Sequence, residues 1–129
     1  MFQLRFNPDE RAAVRYVDDR ELAYVMQRYR EMHDFWHALF DIPPTEFGEI
    51  ILKHLELRVT KLPVCALSAF LGPLRLTSSQ NASLVTHYIP WAASQVSNTN
   101  LLNVYYEKEF ETPLETLREK LGVQVAPKL

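Results

Sequence analysis

Four residues in one short stretch have the chemistry to hold a metal ion: His33, Asp34, His37 and Glu49, within EMHDFWHALFDIPPTEFGE. At about 100° per residue, His33 and His37 stand about 40° apart on a helix, with Asp34 about 60° beyond His37. All three then share one arc of about 100°. Glu49 follows a Pro-Pro turn, in the first turn of a second helix, where the helix dipole favours negative charge. An antiparallel fold-back of the two helices sets it opposite His37. Two imidazoles with one or two carboxylates form an N/O donor set suited to Zn2+, with other divalent ions such as iron or manganese as lesser options. The four are therefore the candidate metal ligands and candidate catalytic residues, with Asp34 either a fourth ligand or an orienter of a histidine. Four protein ligands would close a tetrahedral site and make it structural, whereas three would leave a position for chemistry. The competing reading is a solvated His/Asp face with an ordinary helix-start glutamate.

Two other metal chemistries fail on the residues. A zinc-protease HExxH pattern is broken by Asp34 in place of the glutamate. A phosphohydrolase built on a His-Asp pair needs a further upstream histidine, and no histidine precedes His33. Lys53, one turn after Glu49, is set either to pair with it or to hold an anionic group; the exposed i,i+4 pair is the simpler option. His87 reads as structural or exposed. Cys65, the single cysteine, lies in an apolar run and reads as a buried thiol.

Several helices must position these side chains, and the expected fold class is all-α: a compact antiparallel bundle of about five to six helices. Asp18 or Asp19 caps a first helix reaching about Phe40. Leu22, Val25, Tyr29, Met32, Trp36 and Leu39 form its inward stripe. Asp41-Ile42-Pro43-Pro44 ends it. Thr45 caps a second helix to about Thr60, with Phe47, Ile50, Ile51 and Leu55 inward. Leu62–Leu74 is uncharged and too short to span a bilayer, so it reads as a buried helix or an interfacial segment. A fourth helix over 79–95 is kinked or split by Pro90. Residues 103–110 read as half-buried helix, and Thr112-Pro113-Leu114-Glu115 as a capping box for a last helix ended by Gly122.

The 129 residues make one domain, 1–129, with 1–17 and 124–129 loose. A formal charge of −2 gives no electrostatic case for nucleic acid. One cysteine excludes an internal disulfide and fits a reducing compartment. The opening FQLRFNPDERAAVR is neither apolar enough for a signal peptide nor acid-poor enough for a transit peptide.

The pattern His33-Asp34-x-x-His37, then Glu49 after eleven residues, resembles the zinc motif of a ubiquinone (coenzyme Q) biosynthesis family. Its members are mitochondrial 4-hydroxy-3-methoxy-5-polyprenylbenzoate decarboxylases. RYREMHD, GEIILK, LPVCALSAFLGPLRL, IPWA and LNVYYEKEFETPLETLREKLG resemble the family in the same order, across Arg15 to Val123. Lys61 departs from it, standing where a glycine is usual. The resemblance implies that the chain is the C-terminal part of a longer protein that carries a mitochondrial address, peripheral on the matrix side of the inner membrane.

It also implies loss of the C1 carboxylate of a polyprenylated hydroxy-methoxybenzoate, with hydroxylation of the same carbon. Zinc supplies no electrons, so the oxidative step draws on oxygen, another cofactor or a different metal. A lipid groove is expected beside the metal, walled by Tyr29, Trp36 and the Leu62–Leu74 segment. The implied partners are the polyprenylated precursor, other ubiquinone biosynthesis enzymes in a multi-subunit complex, and a peripheral membrane contact, with a homo-oligomer as a further option. The alternative function is a non-catalytic, lipid-binding scaffold of that complex with a structural zinc.

Overall fold

The computed structural model describes residues 17–95 and 101–128, and these form an all-α fold with no strand among them. Residues 1–16, expected to be loose, lie outside the described residues.

Helix α1 (Arg20–Phe40) starts because Asp19 Oδ1 accepts from the backbone N–H groups of Glu21 and Leu22 at 2.9 and 3.0 Å. It ends at Asp41, whose left-handed conformation (φ 54°) is one that a short polar side chain tolerates. Helix α2 (Glu46–Thr60) starts at Thr45, whose hydroxyl accepts from Gly48 N–H at 3.1 Å. Between them the Pro43 carbonyl accepts from Thr45 N–H at 2.8 Å and lies against Gly48. A Cβ on Gly48 would fall 1.9 Å from that carbonyl oxygen. Gly48→Ala therefore forces the turn apart and moves the neighbouring Glu49. We expect a loss of about 2 kcal/mol or more in chemical denaturation, the range of overpacked core substitutions.

Helix α2 ends at Lys61 with φ 57°, a left-handed conformation that glycine adopts without strain. The resemblance leads one to expect glycine there, and lysine occupies the left-handed position in this chain. Helix α3 (Pro63–Leu71) continues into a 3-10 turn over Gly72–Arg75. Gly72 permits close approach to α2, since a Cβ there would meet Ile50 at 2.8 Å.

The segment read as one helix broken by Pro90 consists of α4 (Ser78–Ser83), a π-helical turn over Leu84–Tyr88, and α5 (Ile89–Ser94) with the proline in its first turn. Residues 101–103 and 106–108 are two 3-10 turns rather than one helix. Helix α6 (Leu114–Leu121) lacks the expected capping box: the Thr112 hydroxyl donates to Glu109 Oε2 at 2.8 Å instead.

The core joins Trp36, Leu39 and Phe40 of α1 to Leu52 and Leu55 of α2, and includes Leu84 and Leu101. The last turn of α1 is held from outside. Arg118 donates to the Leu39 and Ala38 carbonyls at 2.8 and 3.0 Å, and Ala126 N–H donates to the Phe40 carbonyl at 2.8 Å. The tail thus differs from its expected looseness. Val123 and Ala126 are buried, and the Gln124 and Pro127 carbonyls accept from Trp91 and Tyr88 at 3.2 and 3.0 Å.

Leu22 and Val25, expected in the inward stripe, are 57% and 53% exposed; the stripe meets described core only from Tyr29 onward. Tyr29 and Trp36 are buried in the core, as the inward stripe implies, and do not wall a groove, which corrects that part of the expectation. Trp36 Nε1–H instead donates to the Tyr106 hydroxyl at 3.0 Å.

Candidate metal centre

The fold-back of α2 on α1 brings His33, His37 and Glu49 together, with one donor atom from each within 4.8 Å of the others. Asp34 lies outside this group and is exposed. Glu49 bridges the two rings. Its Oε1 is 3.0 Å from His37 Nε2 and its Oε2 is 3.2 Å from His33 Nε2. The rings stand edge to face, with centroids 4.9 Å apart.

The opposite nitrogen of each ring is anchored. His37 Nδ1 is 2.9 Å from the Ile42 carbonyl, in the turn that ends α1. A carbonyl only accepts, so Nδ1 carries the hydrogen and Nε2 faces Glu49. His33 Nδ1 meets the carboxylate of Glu56. Each Nε2 therefore points at a carboxylate that also only accepts, and a proton or a cation must stand between them. Donor atoms around a tetrahedral zinc stand about 3.3 Å apart, close to the spacing of these contacts.

Glu56 is the site residue that sequence reasoning missed. It is fully buried on α2 and surrounded by donors. Besides His33, the Tyr29 hydroxyl and Lys53 Nζ each donate to its Oε2 at 2.6 Å, and Cys65 Sγ lies 3.6 Å away. Lys53 also donates to the Tyr29 hydroxyl at 3.2 Å. Lys53 thus turns away from Glu49, the partner that i,i+4 spacing suggests, toward the acid three residues on. The available signal was the spacing Glu49, Lys53, Glu56, which lies on one stripe of α2.

These contacts set the protonation of the ion-free site. Burial acts to lower the His33 pKa, but its hydrogen bonds to Glu49 and Glu56 prevail and push it up to about 9. The bonds from His33 and His37 hold Glu49 well below the usual carboxylate range. Burial raises Glu56, but the His33 bond and the Lys53 charge outweigh it and keep it ionised. Burial and the adjacent Glu56 push Tyr29 up, so its hydroxyl remains a donor. Burial also raises the Cys65 thiol, as expected of an inert buried cysteine.

A cavity of about 500 Å³ opens between α2 and α3, the size of a small-molecule pocket. Glu49 and Lys53 line its polar end, and Ile50, Leu67 and Leu71 line its apolar wall. Because Glu49 also belongs to the His33–His37 cluster, the cavity reaches the candidate metal centre.

Residues 1–127 match the family model described as Coenzyme Q (ubiquinone) biosynthesis protein Coq4. The chain belongs to the Coq4 family. It is 48% identical over 124 residues to the bovine (Bos taurus) "Ubiquinone biosynthesis protein COQ4 homolog, mitochondrial", covering 95% of this chain and 47% of that protein. The human (Homo sapiens) protein of the same name gives the same identity and coverage. A Schizosaccharomyces japonicus "Ubiquinone biosynthesis protein coq4, mitochondrial" is 50% identical over 123 residues, covering 95% of this chain and 52% of that protein. The chain spans about half the length of the Coq4 relatives it matches. No solved structure matches it.

Proposed function

We propose that this Coq4 chain binds one divalent cation, zinc in the first instance, and serves ubiquinone biosynthesis by removing, as carbon dioxide, the C1 carboxylate of a polyprenylated hydroxy-methoxybenzoate. A hydroxyl takes its place at C1, and the two electrons released pass to dioxygen, since zinc accepts none. One observation carries the reading. Two ring nitrogens with anchored partners face a shared carboxylate at the polar end of a cavity with an apolar wall. The donor set fits the ion: His33 and His37 would hold it through Nε2 and Glu49 through its carboxylate. Three protein ligands leave one position open, as in catalytic rather than structural sites. Asp34, on the exposed side, is left to the outer surroundings.

The ion supplies a Lewis acid for a carboxylate or phenol oxygen. The chain's own residues do the rest. Glu56 fixes the His33 ring, a carboxylate–histidine arrangement that orients metal ligands. Lys53 lines the cavity with two of its three ammonium hydrogens engaged by Glu56 and Tyr29, and the third is suited to a substrate carboxylate. Leu67 and Leu71 give a prenyl chain an apolar bed. The reaction takes place in this reading with other ubiquinone biosynthesis enzymes, on the matrix side of the mitochondrial inner membrane. The test is release of carbon dioxide from a tailed precursor, assayed with and without metal. Metal-dependent release that fails in Glu49→Gln supports the reading; release by the chelated protein overturns it.

The site also sets a pH dependence. The raised His33 pKa means that its ion pairs stabilise the ion-free protein fully below the ordinary value of 6.5. That stabilisation is lost as pH rises through about 9. The lowered Glu49 pKa acts in the opposite sense: its contribution is present above the ordinary 4.5 and lost as pH falls below that. Metal must displace the His33 proton, so zinc affinity measured by competition with a chelator should rise steadily from pH 6.5 to about 9. Affinity that is flat over this interval would show that His33 is not a ligand.

A further inference from the structure

Helix α3 is packed inside out. Its small residues Cys65 and Ala69 are the buried ones, turned inward, while Val64, Leu67, Phe70 and Leu71 share an opposite arc of about 120° and are exposed. Leu74, in the following turn, continues the ridge; Phe70 is 72% exposed and Leu74 82%. A surface helix in water ordinarily turns its large apolar side chains toward the core. Here the close contact of Gly72 with Ile50 brings the small face onto α2 and projects the large face outward.

Along the chain the charge flanking this ridge is one-sided, although Glu46 and Glu49 of α2 face it across the cavity. From Leu57 to Tyr106 the chain holds no acidic residue and three cations, Arg58, Lys61 and Arg75, although its formal net charge is −2. Arg58 and Lys61 are exposed just before α3; Arg75 is exposed just after it, with a loose 3.8 Å contact to Glu46. Apolar side chains flanked by cations suit an anionic lipid surface, where basic heads remain at the phosphates while hydrocarbon enters the acyl region. No helix among the described residues is long and apolar enough to cross a membrane, so the element would lie in the interface.

We propose that the outer face of α3, from Val64 to Leu74, is the surface by which this protein enters the anionic leaflet of a lipid bilayer. Leu67 and Leu71 belong both to the ridge and to the cavity wall. A prenyl chain could then pass from the bilayer along α3 to the polar end at Glu49 and Lys53 without crossing water. This route rests on the proposed function, while the membrane contact stands without it.

The test is co-sedimentation with phosphatidylcholine vesicles containing or lacking cardiolipin. Wild type should bind, more tightly with cardiolipin. Phe70→Glu/Leu74→Glu should weaken binding at least about a hundredfold, about tenfold or more for each large apolar side chain withheld from lipid. Both positions are exposed and outside the cavity wall, so melting temperature and metal content should be unchanged. Arg58→Gln/Lys61→Gln/Arg75→Gln should abolish the cardiolipin preference. Leu22→Glu/Val25→Glu, on another exposed apolar stretch, should bind as wild type. Binding by Phe70→Glu/Leu74→Glu equal to wild type overturns the proposal. So does a wild-type protein that ignores vesicles but forms a dimer which that variant dissociates. If vesicle binding behaves as stated and no carbon dioxide is released, the proposed reaction fails and the membrane face stands.

Discussion

Glu49→Gln should leave the protein folded and abolish the zinc binding proposed for His33, His37 and Glu49. The carboxylate is partly exposed and contacts His33 and His37, so the amide fits the same space. It cannot supply the negative charge that both ring nitrogens face. Residues that only orient a ligand are worth about 10–100-fold in metal affinity. A direct ligand should cost at least about 100-fold, with the proposed metal-dependent release of carbon dioxide falling to background. Calorimetric zinc titration beside a thermal melt checks this. Wild-type zinc affinity in Glu49→Gln, with an unchanged melt, would assign the carboxylate a merely structural contact.

The second large effect belongs to Glu56. Glu56→Ala leaves the Lys53 ammonium beside an empty buried space, and His33 loses the group that holds its ring. Breaking a buried charge network from one side costs about 3–5 kcal/mol. The melting temperature should fall by more than about 10 °C. Zinc affinity should fall about 10–100-fold. Glu56→Gln separates the two effects: it keeps the volume and an acceptor for Tyr29 but removes the charge. It should recover much of the stability while zinc affinity remains reduced. If Glu56→Gln binds zinc as wild type does, Glu56 stabilises the fold without tuning the site.

These two residues also mark what can be read from the chain and what cannot. His33, His37 and Glu49 were legible because local rules place them. Asp19 and Thr45 start their helices with side-chain caps, the Pro-Pro turn is short, and helical spacing does the rest. Glu56 was not, because an acid in mid-helix ordinarily faces water. Its burial follows from three partners, Tyr29, His33 and Cys65, on two other helices, and from Lys53 on its own. The same limit explains Tyr29 and Trp36. An aromatic stripe signals an apolar neighbour but does not say whether that neighbour is core or ligand. It explains the tail as well, where two backbone carbonyls find Tyr88 and Trp91 more than thirty residues away.

The inward face of α3 shows a different limit. Thirteen uncharged residues, Leu62 to Leu74, are consistent with a buried helix or an interfacial one. Gly72 sets which face turns inward, because its lack of a side chain lets α3 lie close against Ile50 of α2 with the small residues facing it.

X-ray absorption at the zinc edge, on protein prepared with one equivalent of zinc, tests the central assignment most directly. The account predicts a first shell of light atoms only, two histidine nitrogens and carboxylate oxygen at about 2.0–2.2 Å with one further oxygen from solvent, and loss of the imidazole signature in His33→Ala/His37→Ala. A sulfur neighbour at about 2.3 Å would place the ion on Cys65. That result, or a fully hydrated ion unchanged by the double substitution, would contradict it.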